Sequence, residues 1–181
     1  AAVITIPAMF ESAQRKATAN AGELAGFQHV ELLQEPVAAA LAYGFKGDRD
    51  NQNWLVYDFG GGTFDASIIA VQNGELTVVE HAGDNYLGGS DLDWAIVEKL
   101  LLPKLRETAD VSHLSRANMK QDDQVATSMR KLKMIAEEIK IALGSNASVE
   151  FYREDAYRTR SGELDDIDCH ITRDEYEDVI R

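Results

Sequence analysis

Two continuous apolar runs separated by a glycine-rich tetrapeptide dominate the pattern of hydrophobic and polar positions. The first run ends at Asp58-Phe59, the second begins at Phe64-Asp65, and Gly60-Gly61-Gly62-Thr63 lies between them. Apolar runs bounded in this way predict two buried strands joined by a tight turn. Asn73-Gly74 is a strong hairpin signal and predicts a third strand over residues 76–81, which completes an antiparallel meander.

The residues before this meander predict two strand–helix pairs. Residues 2–6 are expected to form a buried strand, and residues 12–27 a helix, with Gly26 as its termination signal. Ala13, Ala17 and Ala21, joined by Leu24 and Ala25, form a stripe of mostly small residues that predicts close packing of this helix face. A second strand over residues 30–33 precedes a helix over 37–43. The polar segment 44–53 predicts a surface turn or linker.

The residues after the meander predict a helical region followed by a hairpin. Residues 91 to about 102 are expected to form a helix that Pro103 kinks or stops. Ser90 is a good N-cap for this helix, with Asp93 as the capping-box acid. The polar segment 112–123 predicts irregular structure.

Apolar residues at helical spacing between Val125 and Leu143 predict a long amphipathic helix. Strands are expected over residues 147–152 and 167–171, with an acidic turn over 163–166. Thr172 and Glu175 predict a capping box that opens a final helix.

Composition narrows the classes of function. The 181 residues include 18 basic and 31 acidic side chains, so the formal net charge is −13. This balance argues against nucleic acid or an anionic membrane as the main partner. No apolar run has the length of a membrane span, and no signal peptide is recognisable. Cys169 is the single cysteine, so no intrachain disulfide is expected, and a strand thiol in a reducing compartment is the simpler interpretation. No histidine has metal-ligand spacing.

The glycine turn is the strongest candidate for chemistry. Successive backbone N–H groups in such a turn form a concavity that suits an anion. Asp58 and Asp65 flank the turn, and two carboxylates beside a phosphate can hold a hydrated Mg²⁺ ion. The alternative is an ordinary glycine-rich hairpin with two solvated aspartates. Gly88-Gly89 before the next helix forms a second candidate anion site and suggests two loops on one polyphosphate.

Two further positions remain open from the residues alone. Glu35 follows a strand and precedes a helix, where ligand-facing residues of open α/β sheets lie. It is also a first-turn acid of the kind that the helix dipole favours. Glu137 and Lys140 lie three residues apart, and their spacing favours a surface ion pair.

The motifs together resemble the seventy-kilodalton heat-shock chaperone family (DnaK-like). The resemblance rests on residues 3–10 with Arg15, on Glu35-Pro36 and the small residues up to Gly44, and on the segments 58–65 and 83–93. It covers essentially the whole chain. Actin-like proteins and sugar kinases share the glycine hairpin but not usually the full set. The resemblance implies an α/β fold of the actin-like, ribonuclease H-like ATPase type, with an α+β outer subdomain.

The resemblance also implies roles for individual residues. Gly61, Gly62 and Thr63 look like a phosphate loop, and Asp58 and Asp65 like the acids that hold hydrated magnesium. Glu35 is similar to the acid that orients the attacking water. Gly88 and Gly89 look like the turn over the phosphates and ribose, and Glu137 and Lys140 match the helix positions that bind ribose and adenine. Gly144 lies at the adenine pocket, where the family usually has serine. Pro7 and Arg15 resemble the residues that relay the nucleotide state to a peptide-binding domain.

The implied organisation is that of a piece of a larger protein. Residues 1–52 are expected to belong to the first lobe of an ATPase domain, residues 53–87 to the inner subdomain of the second lobe, and residues 88–181 mainly to its outer subdomain, cut in the last helix. The chain opens without methionine inside a strand, which also favours a fragment. The resemblance implies ATP or ADP with Mg²⁺ as ligands. It implies unfolded polypeptides, a J-domain co-chaperone and a nucleotide-exchange factor as partners, and a cytoplasmic location.

Two alternatives remain beside the chaperone ATPase. The first is a catalytically incompetent fragment that acts only as a binding scaffold. The second is an actin-like filament protein, against which Pro7, Arg15 and the segment 35–44 argue.

Overall fold

The computed structural model describes residues 1–43 and 52–181. The described chain divides into two compact units, Ala1–Gly89 and Ser90–Arg181. The predicted turn over residues 44–53 falls almost wholly outside the described residues.

Seven strands and six α-helices make up the described part of the chain. The strands are β1 Ala2–Ile6, β2 Val30–Gln34, β3 Gln52–Phe59, β4 Phe64–Gln72, β5 Glu75–Asp84, β6 Ser148–Arg158 and β7 Leu164–Thr172. The helices are α1 Ser12–Leu24, α2 Glu35–Ala42, α3 Gly89–Ile96, α4 Leu102–Leu105, α5 Asp123–Leu143 and α6 Arg173–Ile180. The mixed α/β class predicted from the sequence is confirmed.

The first unit begins with a parallel pair of strands, β1 and β2, connected by α1. Gly22 is the buried residue of α1, and a Cβ there would lie 2.9 Å from side-chain atoms of Ile4 and Val30. The predicted packing face is wrong, because Ala13, Ala17 and Ala21 are exposed in this chain. Helix α1 packs on β1 and β2 through the face that carries Gly22, because glycine has no side chain and lets the helix approach the strands closely.

The glycine hairpin and the Asn73-Gly74 hairpin form the predicted meander, with strand order β3-β4-β5. Asn73 and Gly74 have φ angles of 54° and 79°, as a two-residue hairpin turn with positive φ at both positions requires. β4 is the central strand and is largely buried. β3 was expected to be buried as well, but as an edge strand it leaves Leu55 73% and Tyr57 68% exposed.

Helix α2 follows β2 without an intervening loop, so Glu35 is its first residue and Pro36 lies in its first turn. The helix contacts β1 and β2 and also packs on all three strands of the meander. Proline is tolerated there because first-turn N–H groups have no partner within the helix. This arrangement carries the Glu35 carboxylate to the meander.

The second unit is organised around α5, which packs on the antiparallel hairpin of β6 and β7. Asp122 caps α5 by accepting hydrogen bonds from the backbone N–H groups of Gln124 and Val125. The predicted amphipathic face from Val125 to Leu143 is buried, and it forms most of a contiguous apolar core. Thr172 and Glu175 form the predicted capping box at the start of α6.

Pro103 does not stop its helix. Regular α-helix ends at Ile96, a π-helical turn spans Val97–Leu101, and α4 continues through Pro103 to Leu105. A proline ring clashes with the carbonyl group four residues earlier in a regular α-helix. The widened turn directly before Pro103 relieves this conflict, so the predicted interruption becomes a change of helix type.

The predicted acidic turn over residues 163–166 is also wrong. Leu164 begins β7, and the chain reverses over residues 159–163, where the Thr159 N–H group donates to the Glu163 carbonyl oxygen at 2.9 Å. Gly162 lies in this reversal with a φ of 92°, which other residues rarely adopt. The acidic residues that follow therefore belong to a strand, where Asp165 and Asp166 accept hydrogen bonds from Tyr157 and Tyr152.

Candidate functional site

Asp58 and Asp65 are direct cross-strand neighbours at the closed end of the glycine hairpin. Residues paired in this way project from the same face of the sheet with their Cβ atoms about 5 Å apart. Two like charges in this arrangement destabilise the hairpin unless a cation or a proton lies between them. The sequence pattern placed these aspartates at the flanks of the turn, and the strand register agrees.

Asp65 is the more buried of the two carboxylates, with a residue exposure of 3%. Neither of its carboxylate oxygens has a hydrogen-bond partner among the described residues. Burial raises the pKa of the Asp65 carboxyl, the charge of nearby His81 opposes this shift, and Asp58 adds to it. A buried carboxylate without donors is costly. The two carboxylate oxygens of Asp65 are therefore suited to accept a bound cation or a water molecule as their partner.

The glycine turn is held by two backbone hydrogen bonds. The Gly60 N–H group donates to the Thr63 carbonyl oxygen, and the Gly89 N–H group donates to the Gly60 carbonyl oxygen, both at 2.9 Å. The N–H groups of Gly61 and Gly62 donate to no acceptor among the described residues. These two N–H groups at an exposed turn are the kind of donors that a phosphate group requires.

Gly88 lies directly against this turn. A Cβ at position 88 would lie 2.4 Å from the Gly62 nitrogen and 2.5 Å from the Gly61 carbonyl carbon. These are backbone atoms and cannot move aside as a flexible side chain can. The two glycine loops therefore adjoin one another because position 88 has no side chain, and Gly89 reinforces the contact through its hydrogen bond to Gly60.

Glu35 completes a group of three carboxylates in the first unit. Burial raises the pKa of the Glu35 carboxyl, and the negative charges of Asp58 and Asp65 raise it further. The structure thus brings together three of the predicted site acids. Convergent carboxylates mark a candidate functional site when some of them have raised pKa values, as Glu35 and Asp65 do here, because ordinary structural acids are paired or solvated.

The donor set fits a hydrated divalent ion better than a fully protein-ligated one. Among the described residues, no three or more His, Cys, Asp and Glu side chains are close enough to hold a metal ion directly. Mg²⁺ keeps several waters and is usually bound by one or two carboxylates together with phosphate oxygens. The partnerless oxygens of buried Asp65 fit this chemistry.

Pro7 and Arg15, the predicted signalling pair, lie on either side of a short turn between β1 and α1. Pro7 is buried, and its carbonyl oxygen accepts a hydrogen bond from the Phe10 N–H group at 3.2 Å. The exposed Arg15 donates from Nε to the Phe10 carbonyl oxygen at 2.8 Å. Phe10 therefore connects both residues to the same turn.

The predicted nucleoside-binding residues lie on α5 in the second unit, and their partners differ from the expected ones. The Lys140 Nζ atom lies 2.6 Å from Oδ1 of Asp93. The ion pair given by the structure therefore joins Lys140 to another helix, whereas the spacing of Glu137 and Lys140 favoured a pair within α5. Glu137 is exposed, and Gly144 follows α5 as its exposed C-terminal cap.

Asp93 was interpreted as the capping acid of α3, and that interpretation is wrong. α3 begins at Gly89, so Ser90 lies inside the helix, and the Asp93 side chain is directed to lysines of α5 instead of the helix N-terminus. Local spacing cannot reveal this partnership because both lysines lie on a different helix, about 40 residues or more along the chain. The sequence shows only an aspartate four residues after a glycine pair, and this pattern does not identify the partner of Asp93.

Ser67 and His81 are two further residues that sequence reasoning missed. They are cross-strand partners on β4 and β5, and the buried Ser67 hydroxyl has no partner among the described residues. Ser67 lies two residues after Asp65, so both side chains share the buried face of β4. The period-2 pattern of the strand could have placed Ser67 there.

The fold and the first site are typical of a protein that holds a polyphosphate through backbone N–H groups and a hydrated metal ion. Comparison with known sequences gives the family. The sequence model of the family described as Hsp70 protein matches residues 1–181. The chain therefore belongs to the Hsp70 family, as the motif resemblance predicted.

Individual relatives agree with this assignment. The chaperone protein DnaK of Thermosipho melanesiensis is 37% identical over 180 residues, which are 99% of this chain and 28% of that protein. DnaK of Mycoplasma mobile is 40% identical over 181 residues, again 99% of this chain and 28% of the relative. DnaK of Metamycoplasma hominis is 43% identical over 155 residues, 83% of this chain and 24% of the relative.

The chain thus spans little more than a quarter of the length of these relatives. Among the described residues, no helix combines the length and the apolar character needed to cross a membrane.

Proposed function

We propose that this chain is part of the ATP-binding and ATP-hydrolysing domain of a DnaK-like molecular chaperone. The observation that carries the proposal is the paired Asp58 and Asp65 beside a glycine turn, with buried carboxylate oxygens that no described residue satisfies. In the parent protein the domain couples hydrolysis to the binding and release of unfolded polypeptides. It has the actin-like fold, in which residues 1–52 belong to the first lobe, 53–87 to the inner subdomain of the second lobe, and 88–181 mainly to its outer subdomain.

The phosphate end of the nucleotide is bound by the glycine loops. Gly61, Gly62 and Thr63 supply donors to the terminal phosphates, and Gly88 and Gly89 supply the adjoining turn. Asp58 and Asp65 would hold a hydrated Mg²⁺ ion. The chemistry that this ion would supply is neutralisation of charge on the phosphate oxygens, which is the main requirement of phosphoryl transfer.

Glu35 orients the water that attacks the terminal phosphate, and Thr63 contacts that phosphate. The raised pKa of Glu35 agrees with this role, because a carboxylate with increased proton affinity is a better acceptor for a proton of the attacking water. No covalent nucleophile is required, since positioning and charge stabilisation carry most of the reaction.

The residues of α5 bind the nucleoside. Glu137 and Lys140 hold the ribose and adenine, and Gly144 borders the base. Pro7 and Arg15 relay the nucleotide state through the turn that carries Phe10 to a peptide-binding domain outside this chain. The partners of the parent protein are unfolded polypeptides, a J-domain co-chaperone and a nucleotide-exchange factor, and its location is cytoplasmic.

The decisive experiment replaces Asp65 by asparagine in the full-length parent. We expect the magnesium-dependent turnover number for ATP to fall tenfold or more, because removing one precisely placed electrostatic group typically costs about 10²-fold or more in rate. Asp168→Asn is the matched control, since Asp168 is exposed on β7 and removes the same charge outside the site. Unchanged turnover in Asp65→Asn would contradict the assignment of the metal site.

The activity of the 181-residue chain itself is a separate question, since it spans about 28% of its DnaK relatives. Titration calorimetry with Mg-ADP distinguishes the two cases. Binding in the micromolar range means that the residues of this chain suffice for a nucleotide site. The absence of heat supports the scaffold alternative for the fragment and leaves the ATPase to the parent. Light scattering that rises on addition of ATP would instead support the filament alternative.

A further inference from the structure

Asp93 is a buried acid that the proposed mechanism does not use. Its side chain is 4% exposed, and it lies 2.6 Å from the Lys140 Nζ atom and 3.7 Å from the Lys133 Nζ atom. Both lysines project from α5, whereas Asp93 belongs to α3. The carboxylate therefore connects two helices and one candidate nucleoside-binding residue.

The exposure of the three side chains is unequal. Asp93 is almost completely enclosed, whereas 19% of the Lys140 side chain and 29% of the Lys133 side chain remain accessible to solvent. A pair that served only to neutralise two charges in the core would enclose both partners. Here the anion is enclosed and part of the lysine side chain stays accessible to solvent, so a ligand can approach the lysine that is paired with the carboxylate.

Lys133 also contacts the aromatic ring of Trp94, which lies against Arg116 as well. The Lys133 Nζ atom lies 6.0 Å from the centroid of the Trp94 ring, and the Arg116 guanidinium lies 4.8 Å from the same ring. Such a cation–π contact favours a position of Lys133 against the Trp94 ring. Lys140 has the shorter approach to Asp93, an ion pair whose geometry is not that of a hydrogen bond, and Lys133 lies farther from the carboxylate.

We propose that Asp93 is a positioning residue that holds the Lys140 ammonium group for the hydroxyl oxygens of the nucleotide ribose. The inference rests on the proposed role of Lys140 in nucleoside binding. A lysine has a long flexible side chain and loses entropy when a ligand fixes it. A lysine already fixed by a buried carboxylate binds without most of that loss, which is the general advantage of preorganisation.

The test compares ADP with 2′,3′-dideoxy-ADP, which lacks the ribose hydroxyl groups, by titration calorimetry on the full-length parent. Wild-type protein is expected to prefer ADP. We expect Asp93→Asn to weaken ADP binding about tenfold, the size of one hydrogen bond to a charged group, and to change dideoxy-ADP binding little. Lys133→Gln is the matched control, because it removes the other lysine beside Asp93, and it should retain the preference for ADP.

A purely structural role for Asp93 predicts a different result. Asp93→Asn would then weaken both nucleotides equally, or leave both unchanged, and either outcome would overturn the inference. Asp93→Glu is the second variant, to be used if Asp93→Asn does not fold. It retains the charge and displaces the carboxylate by one methylene group. It too should lose the preference for ADP, and a retained preference would overturn the inference.

Lys140→Gln separates this inference from the function on which it rests. Loss of the preference for ADP in Lys140→Gln, with no further loss on adding Asp93→Asn, supports the proposal that Asp93 acts through Lys140. An unchanged preference in Lys140→Gln overturns the assignment of Lys140 itself. A lost preference in Lys140→Gln together with a retained preference in Asp93→Asn overturns only the role of Asp93.

Discussion

The two units of this chain differ in what they bury. The contiguous apolar core belongs entirely to Ser90–Arg181, where α5 packs on β6 and β7. In Ala1–Gly89 the buried side chains include the Asp65 carboxylate and the Ser67 hydroxyl, neither of which has a hydrogen-bond partner among the described residues. Ser90–Arg181 thus combines a large apolar core with the buried Asp93, which forms an ion pair with Lys140, whereas the buried polar groups of Ala1–Gly89 lie at the candidate ligand site.

This difference has a physical consequence. An unsatisfied buried polar group costs about 1–3 kcal/mol, and such groups are retained where function requires them. The apolar core carries no such cost. We therefore expect substitutions in the two units to act through different mechanisms. Trp54 on β3 and Trp94 on α3 provide one fluorescent reporter in each unit.

The largest effect should come from Leu132→Ala. Leu132 has an exposure of 0% in the middle of α5, and truncation of a fully buried leucine costs about 2–5 kcal/mol. Urea unfolding of the 181-residue chain followed through Trp94 measures the loss. Met134→Ala is the matched control on the same helix, because Met134 is 63% exposed and its truncation should cost less than about 0.5 kcal/mol. Equal losses in the two variants would contradict the location of the core.

Gly88→Ala should have the next largest effect and should act on the other unit. The new Cβ meets the Gly61 and Gly62 backbone, so the two glycine loops must separate, at a cost of about 1–3 kcal/mol. Urea unfolding followed through Trp54 measures it. Gly61→Ala is the control, since no atom lies within 4 Å of a Cβ there. If Gly61→Ala destabilises the unit as much as Gly88→Ala, the contact between the loops is not the cause.

Glu35→Gln should have the smallest effect and the opposite sign. The pKa of Glu35 is raised in the folded state, first by burial and then by Asp58 and Asp65, so its ionised form opposes folding at pH 7. The variant should therefore unfold at a higher temperature than wild type at pH 7. The difference should shrink as the pH falls through the folded pKa of Glu35, because protonation then removes the same charge from wild type.

Thermal unfolding at several pH values measures this difference. Glu31→Gln is the control, because Glu31 is exposed on the neighbouring strand and loses the same charge outside the carboxylate group. A stabilisation of Glu35→Gln that is independent of pH would indicate a packing effect and not relief of charge repulsion.

The sequence predicted those features that depend on local chemistry. The hairpin at Asn73-Gly74, the capping box at Thr172 and the amphipathic face of α5 all follow from short-range rules, and all are present. The cross-strand pairing of Asp58 with Asp65 follows from the length of the glycine turn, because a short turn fixes the strand register.

Features set by packing between distant elements were not predicted. The alanine stripe of α1 satisfies every local criterion for a packing face, yet Gly22 on another face permits a closer approach to Ile4 and Val30. Asp93 satisfies the spacing of a capping box, yet a lysine on another helix is the stronger partner. Local rules identify what a residue could do, and the available partners decide which possibility is realised.

The π-helical turn at Val97–Leu101 has a consequence for the length of the chain itself. Because each of its hydrogen bonds spans five residues, the turn contains one residue more than a regular helix of the same rise. An insertion in a helix normally rotates every later side chain by about 100°. Here the widened turn absorbs the extra residue locally, so Leu102 and Leu105 still reach the core. The π-helical turn and Pro103 are therefore linked features of this segment, since the widened geometry before Pro103 also leaves room for its ring.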